Sequence, residues 1–217
     1  MKMISSRLSQ LAAQFRDYLG VGARVRALPI TTPAGLEDFL GTRASYIAQT
    51  SLYGYLRTRA GQRYPELFEG DEFVASINIA KWHMWLACLS DLSIHAGGLL
   101  VRGSDLPAEA VRGLMLGLVE GILDRTGVPD EADGEFPDHV QRVRQRVALT
   151  DWHAVEDGDA AFSASPDALV RWAPIVNTLM ELDEPIVRNS VRFHWQEIRR
   201  DLRQLLDAPA LAATVRG

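Results

Sequence analysis

The stretch Phe73–Val101, FVASINIAKWHMWLACLSDLSIHAGGLLV, decides the fold. It is too long for a strand, and apolar residues recur along it at helical intervals. A helix that crosses a bilayer needs about 20 mostly apolar residues. Here Asn78, Lys81, His83, Asp91 and His95 interrupt the run. The expected structure is a helix buried among other helices, from about Glu72 to Ala96, with Gly97-Gly98 as its C-terminal stop.

The flanking sequence repeats the helical pattern. Upstream, Thr32-Pro33 supplies a hydroxyl cap followed by a first-turn proline. From there Leu36, Phe39, Leu40, Ile47 and Leu56 carry a helix towards Gly61, with a potential break at Gly41. Further upstream, Ile4, Leu8, Leu11, Phe15 and Leu19 mark an amphipathic helix, and residues 1–26 hold five basic residues and one acid. Downstream, Asp105, Pro107 and Glu109 open a helix whose apolar set runs from Val111 to Leu123 at i, i+3, i+4 spacing. Residues 127–162 are acidic and irregular, with only Val140, Val143 and Val147 suggesting a helix. Ser165-Pro166 then begins a helix to about Leu182, and Glu184-Pro185 begins a last one. The expected fold is all-α, a single up-and-down-like bundle of about seven helices. It comprises an N-terminal body (1–126), an acidic excursion (127–162) and a C-terminal helix pair (163–217).

Composition narrows the class. With 47% hydrophobic residues in 217, a core is affordable and disorder throughout is excluded. The lone Cys88 can form neither an internal disulfide nor a thiolate zinc site, so a reducing, cytoplasmic setting is expected. Arginine supplies 21 of the 23 basic residues, the bias of a GC-rich bacterial genome. A net charge of −5 gives no general attraction to nucleic acid.

Catalytic signatures are missing: there is no G-x-S-x-G, HExxH, Walker loop, G-x-G-x-x-G or C-x-x-C. An EF-hand built on Asp133-Gly134 would put Pro129 and Val140 where carboxylates are required. No cofactor or metal is expected, and an enzyme is disfavoured.

Four patterns remain as candidate sites. Asp91 and His95 stand four apart on one helix face, where a carboxylate can orient an imidazole. Arg43, Tyr46, Thr50, Tyr53 and Arg57 form a polar-aromatic stripe suited to an anionic ligand. Gly113, Gly117 and Gly121 lie in register, at about 0.5–1 kcal/mol each against alanine, and imply close approach by a helix of this chain or of a partner. Arg188, Arg192, Arg199 and Arg203 share one side of the last helix, a pattern that suits an anionic membrane surface, RNA or an acidic partner, and equally pairing with the chain's own acidic excursion or a solvated face. Trp82 and Trp85, at helical spacing, belong to the core, or to a partner site where exposed.

The succession Leu52-Tyr53-Gly54-Tyr55-Leu56, Arg63-Tyr64-Pro65-Glu66-Leu67-Phe68 and Trp82-His83-Met84-Trp85-Leu86 resembles the ubiquinol–cytochrome c chaperone family over roughly residues 50–95. The family prefers leucine at the place of Trp82, and nothing from Gly127 onward matches it. The resemblance implies an assembly factor that holds a new membrane subunit at the membrane surface, with Tyr53, Trp82, His83 and Trp85 in partner contact. The first functional expectation is therefore a non-enzymatic protein-binding role: chaperone, adaptor or accessory subunit, with a protein partner, a membrane surface or a second copy of the chain. The alternative is a small-ligand enzyme or sensor using Asp91–His95 or the Arg43/Tyr46/Tyr53/Arg57 stripe.

Overall fold

Thr32 caps the first described helix as its sequence requires: Oγ1 accepts from the Gly35 amide at 3.2 Å, and Pro33 occupies the first turn. The computed structural model describes residues 28–216. In it this helix, α1, runs Pro33–Ala60 and passes through Gly41 unbroken. It ends where Gly61 takes a φ of 57°, a left-handed conformation open to glycine at little strain. The 3-10 segment Gly61–Glu69 leads to α2, Asp71–Gly103. Then come α3 (Ala108–Thr126), α4 (Phe136–Leu149), α5 (Ala164–Trp172), α6 (Asn177–Leu205) and α7 (Ala208–Arg216). The architecture is all-α, with no strand among the described residues. The amphipathic segment Ile4–Leu19 lies outside the described residues.

Helix α2 is the axis of the bundle. Every residue from His83 to Gly98 is buried, because α1, α3, α4, α5 and α7 all pack on it. That explains an apolar run without a polar face: a helix surrounded on all sides has no side to leave wet. Ile30 bridges two distant parts of the described residues: its amide donates to Leu205 O (2.7 Å) and its carbonyl accepts from the Asp207 amide (3.1 Å). These bonds tie the entry of α1 to the junction of α6 and α7.

Two expected boundaries are corrected. Gly97-Gly98 does not stop α2, which continues to Gly103. The glycines instead clear space for the 150s loop. A Cβ on Gly97 would overlap the Trp152 ring, with Cε3 at 2.7 Å, and one on Gly98 would lie 2.9 Å from Val155 Cβ. The second correction concerns the C-terminal helices. The break falls at Pro174, not at Pro185: Ala173 is extended (φ −59°, ψ 131°), as a residue preceding proline prefers. Pro185 sits inside α6 on its exposed side, and burial of Met180 and Val187 holds the helix on either side of it.

Candidate functional site

Helix α4 presents His139, Arg142 and Arg146 at i, i+3, i+7, on one face. They form one wall of a cleft of about 240 Å³, with Ala87 and Ser90 of α2 and Ala168, Arg171 and Trp172 of α5 opposite. Three guanidiniums and an imidazole thus meet in one small space.

The imidazole is the end of a hydrogen-bonded series. Asp133, in the acidic link before α4, bonds His83 Nε2 at 2.9 Å, and His83 Nδ1 lies 2.8 Å from His139 Nδ1. The two rings are within 16° of coplanar, the geometry of an in-plane N–H···N bond. A carboxylate only accepts, so it sets His83 as the Nε2–H tautomer. His83 Nδ1 then accepts from His139 Nδ1–H, and His139 Nε2 is left with a lone pair. Trp172 stacks flat on His83 at 3.6 Å and 3°, and Arg171 lies over Trp172 while pairing with Glu135 at 2.8 Å. Burial lowers the pKa of His83, against the pull of Asp133. Burial, His83 and the guanidiniums of Arg142 and Arg171 lower that of His139 to about 4.

Behind the cleft sits the most fully bonded polar group of the interior. Asp91, 0% exposed, accepts from Arg146 (2.6 Å), the Ala164 amide (3.1 Å), the Ser165 amide (2.8 Å) and Ser165 Oγ (2.6 Å). Ser165 in turn accepts from Trp195 Nε1 at 2.9 Å. Burial pushes the Asp91 carboxyl up, and Arg146 and Ser165 oppose it. Every acceptor position is spent on holding α5 and α4 to α2, which is an architectural role.

Asp91 and His95 therefore do not act as a pair. His95, also 0% exposed, has no hydrogen-bond partner at either ring nitrogen among the described residues. Its nearest carboxylate, Asp157, is 3.8 Å away, and burial holds it at about 4. Nor does the α1 stripe converge. Arg43 reaches Asp201 of α6 at 4.0 Å, Tyr46 and Tyr53 pack against the core, and Arg57 is exposed. Burial pushes the Tyr53 hydroxyl up to about 12, which keeps it neutral.

Of the residues expected at a partner surface, His83 is buried in the relay just described. Trp85 is buried and Trp82 half-buried, both lining a cleft of about 390 Å³ between α1, α2 and α3. Trp82 Nε1 donates to Glu131 at 3.2 Å, beside Lys81. Gly113 and Gly117 are exposed with nothing within 4 Å of an added Cβ, so no helix of the described residues closes on them. Gly121 is approached by the side chains of Glu37 and Arg125, which pair with each other. The arginine stripe of α6 is mostly spent internally: Arg188 pairs with Glu184 and Asp167, Arg199 with Asp159, and Arg203 with Asp157 at 3.0 Å. Only Arg192 of the four stands exposed without a partner among the described residues.

Sequence reasoning missed two features. His139, Arg142 and Arg171 belong to none of the sequence patterns, although the 139/142/146 spacing marks a polar face, and Asp133 enters only as part of a failed EF-hand. The second lies on the outer face of α6, where Leu182, Ile186 and Phe193 are 74%, 71% and 68% exposed. At 100° per residue they fall within about 40° of each other. A helix break at Pro185 would have placed Leu182 and Ile186 on different helices, which hid the stripe.

Acid should destabilise the fold through the histidines. His95 and His139 hold folded pKa values of about 4 against an ordinary 6.5, so the unfolded chain takes up protons that the folded chain refuses. They cost nothing above pH 6.5. Between 6.5 and 4 each removes up to about 1.4 kcal/mol per pH unit, as the slope of linkage requires. Urea midpoints should fall across that window and fall less steeply in His95→Gln. A midpoint independent of pH there would contradict the burial of these rings.

The chain matches no family model, no curated protein and no solved structure.

Proposed function

We propose that this chain is a cytoplasmic, non-enzymatic protein-binding protein, an adaptor or assembly factor that holds an amphipathic helix of its partner along the outer face of α6. The observation that carries it is the exposed row Leu182–Ile186–Phe193. Single exposed apolar residues are ordinary, whereas three in register on a long, well-anchored helix make a seam of the kind that receives a helical partner. The seam spans 12 residues, about 16 Å from first to last at 1.5 Å per residue, or three turns of a docked helix. Its flanks carry Glu181 and Glu197 as well as Arg192 and Arg200, all exposed, which suits a partner of mixed charge better than a uniformly anionic surface. The resemblance over residues 50–95 to an assembly-factor family points the same way, although its aromatic residues lie on α1 and α2 and not on this seam.

The test is a photo-crosslinking residue in place of Phe193, expressed in the host, with Gln141 on α4 as the control position. A discrete adduct that forms at Phe193, is absent at Gln141, and is lost in L182E/I186E supports a protein partner. Because these side chains are exposed, L182E/I186E should change stability by less than about 0.5 kcal/mol. No adduct would overturn the proposal. So would partition of the purified chain onto phosphatidylserine vesicles that L182E/I186E abolishes, since the seam would then be a membrane contact.

A further inference from the structure

We infer that the cleft between α2, α4 and α5 binds a small organic oxyanion, its head on Arg142, Arg171 and His139 Nε2, with a proton taken up at His139 on binding. The site is distinct from the α6 seam and stands or falls independently of it.

Arg142 is exposed and has no carboxylate partner among the described residues, so its guanidinium fork is available. Arg171 is held in place by Glu135 and by the Trp172 ring. Arg146 adds positive potential but is committed to Asp91. The one carboxylate of the lining, Asp167, is neutralised by Arg188. Size then limits the ligand: about 240 Å³ is below the usual range of roughly 300–1,000 Å³ for larger ligands and excludes a nucleotide. Ala87, Val143, Ala168 and the Trp172 ring leave room for a short apolar body beside the charged head.

The coupled proton follows from the relay. Asp133 fixes His83, and His83 fixes His139 with Nδ1–H engaged, so Nε2 carries a lone pair in the free protein. A lone pair repels an oxyanion, while Nε2–H⁺ donates to it. The charged groups around this ring are His83 on α2, Asp133 and Glu135 before α4, Arg142 and Arg146 on α4 itself, and Asp167 and Arg171 on α5. In the free protein the guanidiniums and burial keep the ring neutral. A bound anion reverses that balance by supplying the opposite charge at contact distance.

Sulfate, whose charge is constant near neutrality, and propionate, which adds a short apolar body, are the probes, with chloride at equal ionic strength as control. The full chain is titrated by tryptophan fluorescence, since Trp172 lines the cleft, and the histidine ring nitrogens are followed by NMR. Saturable binding is expected, with the His139 Nε2 resonance moving and those of His95 and His194 unmoved. Affinity should rise up to roughly tenfold for each unit from pH 8 to 6, the slope of one proton taken up per anion. Arg142→Gln should weaken binding at least roughly tenfold at unchanged circular dichroism. His139→Gln should remove the pH slope. Absence of saturation by either probe, an affinity untouched by Arg142→Gln, or a pH slope that survives His139→Gln would each overturn the inference.

Discussion

Replacing Asp91 by alanine is expected to destabilise the protein by about 3–5 kcal/mol, the usual consequence of removing one partner of a buried ion pair. The magnitude follows from what the carboxylate leaves behind. Arg146 would lose its only carboxylate, and the amides of Ala164 and Ser165, at the start of α5, would lose their acceptor. Ser165 Oγ, inside the core, would keep Trp195 Nε1 as its donor but lose the oxygen to which it donates. A domain with total stability of about 5–15 kcal/mol cannot absorb that unnoticed, and the thermal midpoint should drop by roughly 10 °C. Asp91→Asn retains one acceptor and should lie between alanine and the parent. The double variant D91L/R146M removes both charges and should recover much of the loss, because an apolar pair of similar size has no unpaired charge to bury. Urea denaturation of the set decides the matter. A loss below about 1 kcal/mol in Asp91→Ala would mean that the carboxylate is not the anchor of α5.

The anchor also shows which parts of the structure can be read from the chain alone. Helices α1 to α3 declare themselves locally, through a Thr32-Pro33 cap, an apolar period, and a stretch too long for a strand yet too apolar for a surface. Those are properties of a dozen neighbouring residues. The partners of Asp91 are not: Arg146 is 55 positions away and Ser165 is 74. His95, four residues away on the same helix, is the obvious local partner, and it turns towards Phe162 instead. The relay has the same character, since His83 and His139 are 56 apart and Asp133 lies in a link with no regular period. The acidic excursion was legible as a charge feature, and Arg199 and Arg203 do pair with it, but which arginines would be consumed depended on how the link folds back over α6. A proline also means different things in two places. Pro174 ends a helix while Pro185 rides within one, and the difference lies in whether buried residues on both sides hold the helix together.

Gly97 gives the second large effect, and it works against local propensity. Alanine in the middle of a helix is ordinarily favoured over glycine by about 1 kcal/mol. At Gly97 the added methyl would sit inside the Trp152 ring, which is itself 1% exposed and belongs to the core. The ring is rigid beyond χ2 and is closed in on its other side, so it must leave its place or push the loop off α2. The expected net cost of Gly97→Ala is about 2–4 kcal/mol, between ordinary overpacking and full loss of a buried aromatic. The loop that moves is the one carrying Asp157 and Asp159, so the pairs with Arg203 and Arg199 should loosen with it. Near-ultraviolet circular dichroism should lose intensity and tryptophan emission should shift to the red, while far-ultraviolet helicity stays unchanged. Trp152→Ala on its own should also destabilise, by about 3–5 kcal/mol. The decisive measurement is the double variant: with the ring gone the methyl has space, so G97A/W152A should be no less stable than W152A, and the helix propensity of alanine should begin to show. Additive losses in that cycle would mean that Trp152 does not lie on the backbone of α2 at Gly97, and that α2 continues past the glycine pair for some other reason.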